Sequence, residues 1–221
     1  MNRKTKRALR RLILITCAVL TGCVVVGVAT ETTVFEPDAE LLRGADGHTL
    51  IMRITNRRVS VFDVLKEREY RAAYAERLEA MQQAFPYDRI QVEIDSAGGV
   101  VRAARGIGKA LAERGEYKHI VIDGACGSSM IQILALSRPD YVSMTERSVI
   151  ILHQKKNALT WADTGNNADE VAGIMALTGQ DETTVRLWFA GLGENRQTHF
   201  NRAQAAQCGF LGAKEWKEDG T

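Results

Sequence analysis

Across residues 89–153 the chain alternates short apolar runs with small-residue turns and helical stretches, and that alternation admits few folds. Arg89-Ile-Gln-Val-Glu-Ile-Asp95 alternates apolar and polar side chains as a half-buried strand does. Ser96-Ala-Gly-Gly99 follows as a turn. An amphipathic segment then runs over residues 100–114, and Gly115 stops it. His119-Ile-Val-Ile-Asp123 is a second apolar strand. A second small-residue turn follows from Gly124, then a helix over residues 129–136 that ends before Pro139. Residues 141–144 and 149–152 read as further short strands. Strand, helix, strand, helix, strand in that order predicts a mainly parallel sheet with crossover helices, an α/β fold.

The flanks extend this pattern. Residues 50–54 read as a strand, and 59–64 as strand or loop. Residues 65–85 read as a long helix with Tyr70, Tyr74, Leu78 and Met81 at helical spacing, which assigns the two tyrosines to packing. Residues 169–178, 182–189 and 202–208 read as helices. Residues 49–221 thus form one domain, long enough to bury a real core. Residues 30–48 are polar, carry Pro37, Gly44 and Gly47, and read as a linker.

The first 29 residues are of another kind. Arg3, Lys4, Lys6, Arg7, Arg10 and Arg11 precede an uncharged stretch over residues 12–29, and no acidic residue comes before Glu31. A basic start followed by an apolar run is the pattern of a secretory signal. Leu20-Thr-Gly-Cys23 resembles the lipobox of bacterial lipoproteins, in which the cysteine is lipidated and becomes the new N-terminus. An uncleaved anchor is the other reading, since about 18 uncharged residues nearly span a bilayer. Cleavage to a soluble form is the third. Each leaves the basic end in the cytoplasm and the domain outside. Net charge is only +2, and these first residues hold much of the positive charge. The remainder offers no basic surface for nucleic acid. Cys17, Cys23, Cys126 and Cys208 form no C-x-x-C pair, which argues against a zinc site.

The two small-residue turns carry the chemistry. Gly98-Gly99 ends a strand. Such a pair serves a tight turn needing positive φ, or a close backbone approach with bare N–H groups aimed at a developing oxyanion. In Gly124-Ala-Cys-Gly-Ser-Ser-Met130 a serine stands at the start of a helix, where it can cap the helix or act as a nucleophile. A serine hydroxyl needs a neutral imidazole within reach to take its proton, and His153 ends the strand that follows.

Three motifs in order resemble the Clp protease proteolytic subunit. Ile94-Asp-Ser-Ala-Gly-Gly-Val-Val101 is similar to its Ser-Pro-Gly-Gly turn. Gly124-Ala-Cys-Gly-Ser-Ser-Met130 is similar to its Gly-x-Ala-x-Ser-Met-Gly nucleophile turn, and to a Cys-x-Ser-Ala-Cys version in exported relatives. Val149-Ile-Ile-Leu-His-Gln154 is similar to its Met-Ile-His-Gln-Pro strand end. Ser128 lies 29 residues after Gly99 and His153 lies 25 after Ser128, closely similar to the family's spacing. The resemblance covers residues 50–212. It implies the ClpP/crotonase fold, a spiral of β-β-α units, here behind an apolar N-terminal helix. It implies Ser128 as nucleophile, His153 as general base, and the backbone N–H groups of Gly99 and Ser129 as oxyanion donors. Ser129 is the alternative nucleophile after a one-residue slip. His48, His119 and His199 are weaker bases, His119 being read as a surface residue.

The third triad member departs from the pattern. The family places an aspartate ahead of a Phe-x-Ser-x-x-Glu-Ala…Gly-Leu segment, matched here by residues 199–211. Gln197 stands near that place. Glu194 is the closest carboxylate and is the third partner by this reading, or else a solvated helix-end glutamate. Asn195 and Asn201 could also orient an imidazole. Ala97 replaces the family's proline, and Met130-Ile131 replaces its small pair. Lys155 and Lys156 leave room for a Ser–Lys arrangement, as in signal peptide peptidase A. Exported, Cys126 and Cys208 meet an oxidising compartment. They either form a disulfide, which needs Cα atoms within about 7 Å, or stay free thiols.

The expectation is a membrane-attached extracytoplasmic serine peptidase that acts on peptides or proteins. It uses no cofactor, metal or nucleic acid and forms a homo-oligomer by analogy with relatives. The alternatives are an inactive interaction scaffold on the same fold and acyl-CoA chemistry on the crotonase scaffold. Intact mass after membrane extraction checks the N-terminus. Lipidation gives a chain starting at Cys23 with added acyl mass, whereas an anchor retains Met1.

Overall fold

The computed structural model describes residues 33–60, 63, 69–154, 168–191 and 196–214. The chain divides into two compact units, residues 1–34 with 58–67, and residues 35–57 with 68–221. In the first, the described residues are strand ends and Asp63, whose backbone N–H donates to the Ser60 hydroxyl at 3.2 Å. The second holds the sheet, the helices and every described residue discussed below.

The strands are β1 (Thr33–Arg43), β2 (Thr49–Ser60), β3 (Arg89–Ser96), β4 (Tyr117–Gly127), β5 (Tyr141–Met144), β6 (Val149–His153), β7 (Gln197–Phe200) and β8 (Gly212–Ala213). The helices are α1 (Tyr70–Ala84), α2 (Val101–Ala112), α3 (Met130–Leu136), α4 (Ala168–Thr178), α5 (Glu182–Ala190) and α6 (Arg202–Gln207). Among the described residues the sheet runs β1-β2-β3-β4-β5-β8, with β6 branching from β4 and β7 beyond β6. The β2–β3, β3–β4, β4–β5 and β4–β6 pairs are parallel. The β5–β8 and β6–β7 pairs are antiparallel. The mixed α/β architecture follows from the alternation in residues 89–153.

Period-two patterning sets the register, because one face of each strand is buried. Met52, Val92, Ile120 and Val142 align as one row across four strands, and Ile54, Ile94, Ile122 and Met144 as the next. All eight are buried. In the row below, Lys118 aligns with Leu50 and Ile90 yet is buried. Its ammonium donates to the Arg114 carbonyl at 2.9 Å, just past the end of α2. Glycines let α2 press close to both neighbours. A Cβ on Gly106 would sit 2.4 Å from Tyr70 Cβ of α1, and one on Gly108 would sit 2.8 Å from the Gln132 carbonyl of α3. At the other end Trp188, Phe200 and Phe210 stack with ring centroids 5.1–5.6 Å apart, joining α5 to β7 and the turn before β8.

Opposite β3, β4 serves two partners in turn. Residues 119–122 pair with β5, and residues 125–127 pair with β6. Between them lies Gly124 at φ +151°, where a Cβ would meet the Asp95 carboxylate at 2.0 Å. The Ser148 hydroxyl bridges the fork. It accepts from Gly124 N–H at 2.8 Å and donates to the Ile122 carbonyl at 2.9 Å.

Residues 30–48, expected as a linker, instead contain strand β1. Its inward polar side chains, Glu36 and Asp38, are paired rather than solvated, so composition hides the strand. Glu36 is fully buried and bonded to the Tyr70 hydroxyl and the Arg57 guanidinium. Tyr74 and Arg77, one and two turns further along α1, both donate to Asp38, at 2.9 and 3.0 Å. Tyr70 and Tyr74 are packing residues with a polar tip. Strands β7 and β8 were not anticipated either. The helix expected over 65–85 is described from Tyr70. Cys126 and Cys208 are free thiols, not a disulfide. Cys126 lies in the core of β4, while Cys208 caps α6, and β6 intervenes between β4 and the β7–α6 segment. Burial pushes the Cys126 thiol up to about 12.

Burial alone would raise the Asp38 carboxyl. Hydrogen bonds from Tyr74, the Ala39 N–H and Arg77 outweigh burial and hold it below its ordinary value of 3.8. A lowered folded pKa gives stability that is present above the unfolded value and lost as pH falls through the folded one. Asp38→Asn is expected to lower the denaturation midpoint at pH 7. Its midpoint should approach that of the wild type at an acid pH below the lowered folded value, where the wild-type carboxylate also protonates. Urea melts at both pH values check this.

Candidate functional site

The two turns meet because β4 carries extra residues. Ile94 pairs with Ile122, but Ser96 pairs with Cys126, so β4 spends two more residues than β3 at the Gly124 fork. This bulge carries the end of β4 forward until Gly127 and Ser128 face Ala97 and Gly98. At Gly127 the contact is backbone on backbone. A Cβ on Gly127 would lie 2.9 Å from the Ala97 carbonyl oxygen. A Cβ on Gly98 would lie 2.4 Å from Ser128 Cβ and 3.1 Å from Ser128 Oγ. Gly98 is at φ +113°, and only glycine both reaches that conformation without strain and leaves room for the serine.

Ser128 itself has φ +53°, a left-handed conformation that is costly for a side-chain-bearing residue. It is held there from both sides. Its N–H donates to the Ile151 carbonyl of β6 at 3.2 Å, and its carbonyl accepts from Ile131 N–H at 3.2 Å as α3 starts. Ser128 is half-exposed, and its hydroxyl makes no hydrogen bond among the described residues. Ser129 differs: it is buried at 2% exposure and its Oγ has no partner. Of the two serines, Ser128 presents its hydroxyl to the surface.

Two backbone amides near Ser128 are unused. Val100 N–H donates to the Phe35 carbonyl at 2.9 Å, but Gly99 N–H has no acceptor among the described residues. Gly99 also rests on β1, since a Cβ there would meet the Phe35 carbonyl oxygen at 2.3 Å. The Ser129 N–H, at the first turn of α3, is likewise without an acceptor.

His153 comes from the adjoining strand. Gly127 pairs with Ile151 in parallel register, so His153 lies one residue beyond the level of Ser128, on a strand about 4.8 Å away. Its Nδ1 lies 2.6 Å from the Gln154 carbonyl oxygen. A carbonyl only accepts, so Nδ1 carries a proton, and in the neutral imidazole Nε2 is the nitrogen left to accept one. The ring and the Ser128 hydroxyl are not hydrogen-bonded to each other.

Opposite His153 in the antiparallel β6–β7 pair stands Gln197. Its side-chain oxygen takes the His199 Nε2 at 3.1 Å. Register therefore puts a neutral amide beside the imidazole. Alignment on Gly209 pointed near Gln197, but the pairing needed the structure, because β7 has no alternating apolar signal. Glu194, Asn195, Lys155, Lys156, Cys23 and residues 12–29 lie outside the described residues. Asn201 caps α6, its side chain accepting from Gln204 N–H at 2.9 Å.

The other histidines stand apart. His48 is exposed at the β1–β2 turn. His119, expected at the surface, is half-buried on the sheet, with Nε2 2.8 Å from Ser143 Oγ and its ring edge-on to Tyr141. Burial lowers its pKa. Among the described residues no group of three or more His, Cys, Asp or Glu could hold a metal, and no helix is long and apolar enough to cross a membrane. One residue missed by sequence reasoning touches the site. Asn56 of β2 donates its amide to Ser96 Oγ at 2.8 Å and to the Gly98 carbonyl at 3.3 Å.

No protein-family model matches the chain, and no curated protein matches it in sequence. Solved structures do resemble it. A ClpP1 point mutant from Listeria monocytogenes is 16% identical, with a TM-score of 0.54 over 75% of this chain and 90% of that one. A peptidase from Plasmodium falciparum is 12% identical, with a TM-score of 0.51 over 66% of this chain and 88% of that one. At such identities the likeness establishes the fold: the chain has a ClpP-like mixed α/β architecture.

Gly98→Ala adds a methyl group at positive φ against Ser128. It is expected to cost about 1–3 kcal/mol in strain, plus whatever the displaced serine turn loses. Gly115→Ala, where the added Cβ meets nothing within 4 Å, should stay within about 0.5 kcal/mol of wild type. Chemical denaturation of the two variants side by side checks the contrast.

Proposed function

We propose that this protein is a serine peptidase in which Ser128 is the nucleophile and His153 the general base. The observation that carries the reading is the environment of Ser128. Its hydroxyl is accessible and unbonded, it is held at a left-handed φ against Gly98, and it has two unused amides beside it. A helix cap needs none of these features.

Chemistry follows from the placement. Ser128 Oγ adds to a peptide carbonyl carbon as His153 Nε2 takes the hydroxyl proton. The carbonyl oxygen becomes an oxyanion that accepts from the Gly99 and Ser129 N–H groups, each such donor being worth about 3 kcal/mol. Collapse breaks the C–N bond, and His153 returns the proton to the leaving amine. Water, deprotonated by the same imidazole, then attacks the acyl-enzyme ester, and the imidazolium returns that proton to Ser128 Oγ as the C–O bond breaks. The Gln154 carbonyl keeps Nδ1 protonated and so presents Nε2 to the serine. It carries no full charge to stabilise the imidazolium, so slow turnover is expected compared with a carboxylate-supported triad.

Attachment to the membrane through residues 1–29, an extracytoplasmic domain and homo-oligomeric assembly belong to the same proposal. They are supported by the basic-then-apolar N-terminus and by the resemblance to ring-forming relatives. A second reading, an interaction scaffold without turnover, is favoured by one observation, the neutral Gln197 opposite His153.

A fluorophosphonate probe separates the two. The peptidase reading expects covalent labelling of the wild type, none of Ser128→Ala, and labelling of His153→Ala slowed by on the order of 10³-fold or more. Labelling that is absent, or that survives Ser128→Ala, removes it.

A further inference from the structure

We infer that Asn56 is a positioning residue that sets the direction of the Gly99 N–H, and with it the oxyanion site; the inference rests on the peptidase reading above. The starting point is the freedom of the turn. Gly98 and Gly99 are consecutive glycines, preceded by Ala97, so no proline restrains them. The peptide between them can rotate between two orientations at little steric cost. Only one of them aims the N–H usefully.

Asn56 selects that orientation. The trans peptide plane points its C=O and N–H in opposite directions. The Asn56 amide donates to the Gly98 carbonyl at 3.3 Å, so the Gly99 N–H faces away from Asn56. Sheet order then says where it faces. Asn56 belongs to β2, Ser128 follows β4, and β3, which leads into the turn, lies between them. An N–H turned away from the β2 flank is turned toward the β4 flank, where Ser128 Oγ packs on Gly98.

Ser96 locks the donor in place. Its Oγ accepts from Asn56 Nδ2 at 2.8 Å and from Gly98 N–H at 3.1 Å. Gly98 is thus gripped at both its amide and its carbonyl by one connected pair of side chains. Ser96 is buried, whereas Asn56 is exposed. An exposed asparagine contributes little to a core, so its bonds to the turn are its main interactions. The next peptide is fixed separately by Val100 N–H on the Phe35 carbonyl, which leaves the Gly98–Gly99 peptide as the one Asn56 controls.

Asn56→Asp tests this with nearly unchanged volume. A carboxylate cannot donate to the Gly98 carbonyl and repels it, so the peptide turns over and its N–H leaves the site. The readout is fluorophosphonate labelling of the full chain, resolved into the limiting rate and the half-saturating probe concentration. Asn56→Asp is expected to lower the limiting rate by about 100-fold, the scale of one lost oxyanion donor. The half-saturating concentration should change less than about threefold, because reversible probe binding precedes the charge. Asn56→Gln, which keeps a carboxamide donor, should recover most of the rate. A crystal structure of Asn56→Asp should show the Gly98 carbonyl turned away from residue 56, a result that needs no activity.

Wild-type labelling by Asn56→Asp, with none by Ser128→Ala, overturns the role of Asn56 and leaves the peptidase reading standing. Equal loss in Asn56→Asp and Asn56→Gln, with the Gly98 peptide unmoved, also overturns it. Absence of labelling in the wild type overturns both.

Discussion

The contact between the Gly98 backbone and the Ser128 side chain is the constraint on which the site depends. Two strand ends come so close that neither can be an ordinary β-strand terminus. Gly98 gives up its side chain, and Ser128 accepts a left-handed φ. Strain of this kind persists only where surrounding structure over-determines it. Here the determinants are the parallel pairing of β4 with β6, the Ser128 N–H on Ile151, and the start of α3 immediately after. They come from β6 and α3, on either side of the turn, so no local sequence could maintain the turn alone.

The sheet explains how that contact arises. Opposite β3, β4 has two successive neighbours, β5 and β6, and the change takes place at Gly124. Extra residues there advance its end past β3, while Ser148 satisfies the backbone groups that the fork would leave unpaired. The same fork places β6, and therefore His153, alongside the serine turn. From the other side β1 supplies the Phe35 carbonyl that seats Gly99 and Val100. β1 is held to α1 by a polar ladder, Tyr70 to Glu36 and Tyr74 with Arg77 to Asp38, rather than by apolar packing alone. Asn56 joins β2 to the same turn. The site is thus supported by five strands, β1, β2, β3, β4 and β6.

Much of the fold was legible. Residues 89–96, 101–112, 141–144 and 149–153 fall close to where periodicity put them, because each buries one face and the burial writes a period into the sequence. β1 was not legible, since its inward side chains include a glutamate whose partners lie 21 and 34 residues away. β7 and β8 are too short to show a period. In the site, Ser128, His153 and Gly99 stood out through motif order and spacing. Asn56 gave no signal, because an exposed asparagine in a polar strand end looks the same whether or not a carbonyl lies beneath it. His119 read as a surface residue for the converse reason: its cover comes from Tyr141 and Ser143 on a neighbouring strand.

By itself the sequence determined the order of strands and helices across residues 89–153 and the two small-residue turns, and it singled out a serine and a histidine as candidates, since these depend on neighbours in the chain. The tertiary structure decided which of two adjacent serines faces outward and that Gln197 stands across from the imidazole. It also decided that Cys126 and Cys208 stay apart. These are matters of register between strands distant in sequence. A shift of one residue would exchange inward and outward faces while leaving every local motif unchanged.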